Sequence, residues 1–167
     1  MTPAQLLSDA FGRIHDGGVA VLDGLDPDQL ATRPGPDANP VGWLVWHLTR
    51  VQDDHVADAA GIEQVWTAQG FADRFALPFE VSATGYGQSR LEVGQLRADA
   101  DQLRSYLTAV HEQTLGYVAG LDAGDLDRVV DHRWDPPVTL GVRLVSVIND
   151  DQQHLGQASY VRGLLGL

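Results

Sequence analysis

Two histidines and an aspartate lie where predicted helices should bury apolar side chains. In the stretch SVINDDQQHLGQASYVRG, His154 occupies the middle of a helical face that is otherwise apolar, and Asp150 lies one turn earlier on nearly the same side. In the stretch GWLVWHL, His47 lies between Trp43 and Val51 on the inner face of another predicted helix. We therefore expect two helices each to direct an imidazole into one bundle, and one of them to add a carboxylate.

Two neutral imidazoles and a carboxylate are a common ligand set for a divalent metal, and they leave coordination positions for water or substrate. The spacing Asp-x-x-x-His lets Asp150 and His154 reach the same ion. Asp151 is a second candidate for the carboxylate ligand, although it lies farther around the helix. The same residues also fit a plainer arrangement, in which Asp150 hydrogen-bonds His154 and His47 is an ordinary core histidine.

The other four histidines are weaker candidates for metal ligands. His15 and His111 lie at the edges of their helical stripes, and His132 lies in a predicted loop. His55 points about 80° away from His47 around the same helix. We expect a solvated or boundary role for each of the four.

The composition restricts the chemistry and the partners. A chain of 167 residues fits one domain with its own core. It has no cysteine, so any sulfur chemistry must use a thiol from outside. Its net charge of -12 disfavours nucleic acid and anionic membranes as partners. The oligomeric state stays open, a homodimer included.

The chain is expected to be cytoplasmic. Its first residues contain no cationic segment that leads into an apolar run, so they do not resemble a signal peptide. No apolar run elsewhere is long enough to cross a bilayer. The lack of cysteine also fits a reducing compartment.

Apolar periodicity and helix-end signals predict four long helices and no strands. The expected fold class is all-α, a four-helix bundle with long connecting loops. The predicted helices are Pro3 to about Leu22 with Thr2 as N-cap, Pro40 to Ala59 with Asn39 as N-cap, about Ala98 to Ala119, and Leu140 to about Leu165 with Thr139 as N-cap.

Two predicted loops contain more aromatic residues than exposed connections need. The chain from Ile62 to Glu92 is irregular, with at most a short helix around Ala72, and DHRWDPPVTLG follows the third helix. Long ordered loops commonly carry function. We therefore expect residues 66–79 and 134–137 to lie near the metal and to line the pocket.

Several of these motifs resemble a known family. The motif GWLVWHL, the motif DDQQHLGQASYVRG and the order of the four helices resemble the DinB-like superfamily of metal-binding bundles. The motifs VWTAQGFADRFALPF, TGYGQS and RWDPPVTLGVRLVSVINDDQQHLGQ are similar to its branch of mycothiol-dependent transferases. The resemblance covers nearly the whole chain and implies a single DinB-like domain over residues 1–167.

The resemblance also implies a ligand set and an activity. In that superfamily the metal ligands correspond to His47, Asp150 and His154, and many members have histidine where this chain has Asp150. Mycothiol-dependent maleylpyruvate isomerase, which is similar, has an acidic residue there. Zn²⁺ is the expected cofactor, with Ni²⁺ or Fe²⁺ as alternatives. Zinc would convert the thiol of a low-molecular-weight cosubstrate, most simply mycothiol, into a thiolate that attacks an electrophilic small molecule, as in detoxification.

A site for a sugar-bearing thiol needs hydrogen-bond donors and aromatic faces around the metal. The candidate residues in the loops and the last helix are Trp66, Arg74, Tyr86, Trp134 and Arg143. Two other functions stay open: a non-enzymatic bundle that binds a metal or a small ligand, and a metal-dependent hydrolase in which water is the nucleophile.

Overall fold

Four long helices form the framework of the chain, and the computed structural model describes residues 1–167. The long helices are α1 (Pro3–Leu22), α3 (Val41–Ala60), α7 (Ala100–Val118) and α8 (Leu140–Leu165). Short helices lie between them: α2 (Pro27–Ala31), α4 (Val65–Ala68), α5 (Phe71–Phe75), α6 (Arg90–Val93) and a single 3-10 turn (Asp125–Asp127). The prediction of an all-α four-helix bundle with long connecting loops is confirmed.

Local capping sets the starts of α1 and α8. The side chain of Thr2 accepts a hydrogen bond from the backbone N–H of Gln5, and Pro3 takes the first helical position. The side chain of Thr139 accepts from the N–H of Val142 in the same way. Both starts agree with the sequence prediction because each signal acts within one turn of the chain.

The bounds of α3 and α7 differ from the predicted ones by one or two residues. Pro40 is the N-cap of α3 rather than its first residue, because its backbone is extended with φ -76° and ψ 160°. Gly61 ends that helix in the left-handed region, at φ 67°. The side chain of Asp99 caps α7, which therefore begins at Ala100.

The long helices pack in a ring around one core. Helix α3 packs most extensively against α8, α1 packs against α7, and contacts between α3 and α7 and between α1 and α8 close the ring. The largest buried apolar side chains include Phe11, Ile14, Leu22, Leu44, Trp46, Leu48, Leu103, Tyr106, Leu107 and Leu140. Every residue of α3 from Val41 to Arg50 is buried, so the polar residues of this stretch are buried with the apolar ones.

One small sheet corrects the prediction that the chain has no strands. Strand β1 (Val129–Asp131) pairs antiparallel with β2 (Val138–Thr139), which leads directly into α8. Strands of three and two residues are too short to show apolar alternation in the sequence. The hairpin fixes Asp131 at the start of the loop that carries Trp134.

None of the helices combines the length and the apolar character that a bilayer-spanning segment requires.

Candidate metal centre

Helices α3 and α8 bring the three predicted ligands together. His47 lies in the first half of α3 and is 5% exposed, while Asp150 and His154 lie one turn apart near the middle of α8 and are half-buried. One ligand atom from each residue can be chosen so that all three lie within 4.8 Å of one another. The packing of α3 against α8 therefore brings His47 beside two residues that lie far from it in the sequence.

The geometry of this cluster fits a divalent cation. A zinc ion binds nitrogen and oxygen at about 2.0 to 2.2 Å, so two of its ligand atoms lie at most about 4.4 Å apart. His154 Nε2 and Asp150 Oδ1 are 3.7 Å apart, within that limit. The widest spacing in the cluster exceeds the limit by less than half an ångström, which a small side-chain rotation closes. Asp150 Oδ2 is buried without a hydrogen-bond partner, as an atom reserved for a cation would be.

Hydrogen bonds on the far side of each ring set the imidazole tautomers. His47 Nδ1 contacts the carbonyl oxygen of Thr84, which can only accept, so Nδ1 carries the proton. His154 Nδ1 lies 3.0 Å from Oε1 of Gln157 and donates to it. In the neutral form of each ring this tautomer leaves Nε2 unprotonated, which is the nitrogen a metal needs.

Burial also favours the neutral form of His47. Removal from water lowers the pKa of its imidazole below the ordinary value of 6.5, and the nearby His154 lowers it further. The Thr84 carbonyl and the Asp150 carboxylate act in the opposite direction. The net lowering keeps His47 unprotonated at neutral pH and available as a ligand.

A tryptophan and a glycine hold the His47 ring in place. The ring of Trp43 stacks on His47 with centroids 4.6 Å apart, and its Nε1 donates to Oε1 of Gln88 at 2.8 Å. Gly85 has φ +98°, and a Cβ added there would lie 2.7 Å from His47 Nδ1. The segment TGYGQS therefore closes over the histidine at a distance that only glycine permits.

A cavity of about 620 Å³ adjoins the cluster and is lined by both His47 and Asp150. Three of the five predicted substrate-binding residues line it as well: Tyr86, Trp134 and Arg143. The side chains of Tyr86 and Trp134 are exposed, while that of Arg143 is 14% exposed. These three residues lie where a ligand beside the metal would meet them, and their role in binding stays a prediction.

The other two predicted residues do not line this cavity. Trp66 is 4% exposed and packs in an aromatic cluster with Phe75 and Tyr106, at centroid distances of 5.3 and 5.1 Å. The guanidinium of Arg74 lies 3.7 Å from the ring centroid of Phe71. The expectation that residues 66–79 line the pocket was therefore wrong, because their aromatic side chains pack into the protein core.

Asp131 and Arg133, which the sequence did not single out, also line the cavity, next to Arg143 and His55. Asp131 accepts bidentate hydrogen bonds from Arg133 and a 3.0 Å bond from Arg143, and the pKa of its carboxyl is lowered well below its usual range, chiefly by the bonds from Arg133. Arg143 also lies 3.1 Å from Nδ1 of His55, which must accept because a guanidinium only donates. His55 therefore lines the cavity and is half-buried, in keeping with the boundary role that the sequence left open for it. Only the stretch DHRWD in the sequence hinted at this group.

Asp151, the alternative carboxylate ligand, points elsewhere. It is fully buried, and neither of its oxygens has a hydrogen-bond partner. The cluster with ligand spacing contains Asp150 instead. His15 and His111 stack on each other outside this cluster, and His132 is exposed.

Comparison with known proteins agrees with this architecture. The chain superposes on a conserved protein from Enterococcus faecalis with a TM-score of 0.92 and 31% identity, over 100% of this chain and 99% of that one. A DinB-like protein from Bacillus cereus shares the fold with a TM-score of 0.64 at 16% identity, over 96% of this chain and 91% of that one. No curated protein matches the sequence. The sequence model of the DinB superfamily matches residues 14–158, a span that contains all three ligand candidates. The chain therefore belongs to the DinB superfamily.

Proposed function

We propose that this protein is a metal-dependent S-transferase that joins a low-molecular-weight thiol to an electrophilic small molecule. The observation that carries the proposal is that the cluster of His47, Asp150 and His154 adjoins a cavity of about 620 Å³, whose wall includes His47 and Asp150. Structural zinc sites are closed by four protein ligands, whereas catalytic sites keep a position open. Three protein ligands beside a cavity correspond to the second kind of site.

The chain provides the ligands and no competing thiol. His47 and His154 present unprotonated Nε2 atoms, and the chain has no cysteine. A divalent cation supplies the electrostatic stabilisation that favours a thiolate over a thiol of ordinary pKa near 8.5. In the transfer, sulfur forms a bond to the electrophilic carbon, the leaving group departs with its electron pair, and the thiol proton passes to solvent.

The sequence resemblance suggests mycothiol as the thiol, and the cavity mouth has suitable groups for its sugar units. Trp134 and Tyr86 are 66% and 93% exposed and offer aromatic faces. Arg143 is held by Asp131 and by His55, so its guanidinium has a fixed orientation before any ligand arrives. A fixed donor and two aromatic faces suit a hydroxyl-rich ligand.

A thiol-consumption assay tests the proposal. Metal-free protein, with and without added zinc, would be given mycothiol or a cysteine-containing analogue together with a bimane or chloronitrobenzene electrophile. We expect turnover only with zinc and thiol together, none in His154→Ala, and normal turnover in His15→Ala, which removes a histidine outside the cluster.

The alternatives give different results in the same assay. Product formation without thiol would indicate a hydrolase. Zinc binding without any thiol-dependent turnover would indicate a binding protein. Turnover that resists a chelator and follows the ionisation of the free thiol would show that the protein does not activate the sulfur.

A further inference from the structure

The long connection between α3 and α7 contains the two residues that close over His47. The carbonyl of Thr84 holds His47 Nδ1, and Gly85 lies against the same ring. This connection has little regular structure of its own between Phe75 and Arg90. Contacts with residues outside this connection must therefore hold Thr84 beside the histidine.

A buried arginine on α3 makes such a contact. Arg50 lies three residues after His47 and is 0% exposed. Its Nε donates to the carbonyl of Ala83 at 3.1 Å, immediately before Thr84 in the chain. Its Nη1 donates to Oε1 of Gln64 at 2.9 Å and to the hydroxyl of Tyr106 at 3.1 Å.

Asp53, one turn farther along α3, holds the start of the same connection. Its two carboxylate oxygens accept from the backbone N–H groups of Val65 and Trp66, each at 2.8 Å. Tyr106 donates to Asp53 at 2.8 Å, and Arg50 lies 3.5 Å away. The two charged residues of α3 thus hold the connection at two points 18 residues apart in the chain, Val65 and Ala83.

A buried guanidinium is an expensive way to stabilise a fold, because an apolar side chain of similar volume often does as well or better. Its advantage is a rigid set of donors that reaches several acceptors at once. In this protein one donor reaches the backbone next to the group that sets the tautomer of His47. Stability alone does not require that arrangement.

We propose that Arg50 is a positioning residue of the metal centre. By holding the carbonyl of Ala83, it keeps the Thr84 carbonyl on His47 Nδ1, and it thereby keeps Nε2 of His47 unprotonated and directed towards Asp150 and His154. The inference rests on the metal centre of the proposed function and is independent of which thiol or electrophile is used.

Two measurements on Arg50→Met test it. The ¹⁵N chemical shifts of His47 in metal-free protein report its tautomer, and a competition titration with a chromophoric chelator gives the zinc dissociation constant. We expect the Nδ1–H tautomer of His47 to lose its dominance and zinc to bind about 10- to 100-fold more weakly, the range found when an outer partner of a metal ligand is removed. Thr114→Val is the control, because it removes a buried hydrogen bond between α7 and Gln52 of α3 and leaves Ala83 untouched. It should lower the melting temperature without changing either readout.

Wild-type tautomer and zinc affinity in folded Arg50→Met would overturn the proposal. If that variant does not fold, Arg50→Lys decides, because lysine keeps the buried charge but has a methylene in place of the Nε–H that holds the carbonyl of Ala83. A weakening of about threefold or more supports the positioning role, and unchanged affinity overturns it. The tautomer is read without metal or substrate, so a protein with no transferase activity still gives a decisive result.

Discussion

Two pairs of helices in this bundle each bring two histidines together, and only one pair forms a cluster with the spacing of metal ligands. Between α3 and α8 the rings of His47 and His154 meet edge to face, with centroids 4.6 Å apart and planes at 75°, and Asp150 joins them. Between α1 and α7 the rings of His15 and His111 stack at 4.5 Å with planes at 18°. The residue types and ring distances are similar, so orientation distinguishes the two pairs.

Hydrogen bonding explains the difference in orientation. Each ring of the α3–α8 pair has an outward Nδ1 partner and an inward Nε2. In the α1–α7 pair both nitrogens of His15 have partners, at 3.1 Å to Asp16 and 3.1 Å to Thr108. His15 is thus already engaged within the protein, while Nδ1 of His111 is buried without a hydrogen-bond partner. Facing histidines become ligands only when their other nitrogens are held from behind and a carboxylate completes the set.

The largest effect on zinc binding is expected when a predicted ligand is removed from the α3–α8 pair. His154→Ala should weaken zinc binding by more than about 100-fold, because loss of a direct ligand exceeds the effect of losing an outer partner. His111→Ala should leave zinc affinity unchanged. Calorimetric titration of zinc into each metal-free variant measures this, with circular dichroism to confirm that helix content is retained. Equal weakening in both variants would remove the distinction between the two pairs.

A glycine substitution tests how closely the covering segment must approach. Gly85→Ala should weaken zinc binding by about 10- to 100-fold, because the new Cβ would lie 2.7 Å from His47 Nδ1 at a φ of +98°. Gly12→Ala is the matched control, since a Cβ there meets nothing within 4 Å and alanine favours the helix. It should raise the unfolding free energy slightly and leave zinc affinity unchanged. Wild-type affinity in Gly85→Ala would show that the segment does not position the ring.

Trp43→Phe should have a smaller effect on the same ring. Phenylalanine keeps an aromatic face for His47 but loses the 2.8 Å bond from Nε1 to Gln88. A net hydrogen bond contributes about 1 kcal/mol, so the zinc dissociation constant should rise by no more than about fivefold. A competition titration measures the change. A weakening as large as that of Gly85→Ala would mean that the indole does more than support the ring.

The smallest expected effect is on the pH dependence of the unfolding free energy, to which the α1–α7 pair contributes. Burial lowers the pKa of His111, and the neighbouring His15 lowers it further. His111 therefore takes up a proton near pH 6.5 in the unfolded chain but only at lower pH in the folded chain. The stability that neutral His111 contributes is present above pH 6.5, and it is lost as the pH falls through the lowered pKa of the folded chain. His111→Asn should reduce the pH dependence of the unfolding free energy below pH 6.5. It should not alter the pH dependence of zinc affinity, which depends on the other pair.

Urea denaturation of the metal-free protein from pH 5 to 8 gives the first of these quantities. Part of the pH dependence of the unfolding free energy should remain in the variant, because burial also lowers the pKa of His47. An unchanged pH dependence of the unfolding free energy in His111→Asn would mean that the pKa of His111 is the same in the folded and unfolded states.

Local signals in the sequence were enough to locate the four long helices and the candidate ligands on them. Thr2 and Thr139 act within one turn of the helices they begin, and the helical period places His47 and His154 on inner faces. Helices α3 and α8 pack together with these two residues at the same level, so the inward histidines lie close to each other. This explains why the cluster could be predicted before its distances were known.

The loops could not be predicted in this way, because distant residues determine their course. The carboxylate of Asp53 binds the N–H groups of Val65 and Trp66 and directs the indole into the core, where it packs on Tyr106. No local pattern around Trp66 contains that information. Asp131 and Arg133 were missed for a similar reason, since their link to Arg143 depends on the pairing of two very short strands.

The most direct test of the metal centre is an anomalous difference map at the zinc edge from crystals grown with zinc. We expect one dominant peak per chain, about 2.0 to 2.2 Å from Nε2 of His47, Nε2 of His154 and a carboxylate oxygen of Asp150. The peak should border the cavity that Trp134 and Tyr86 line. A dominant peak at the stacked pair of His15 and His111, or none at the three predicted ligands, would contradict the proposed metal centre.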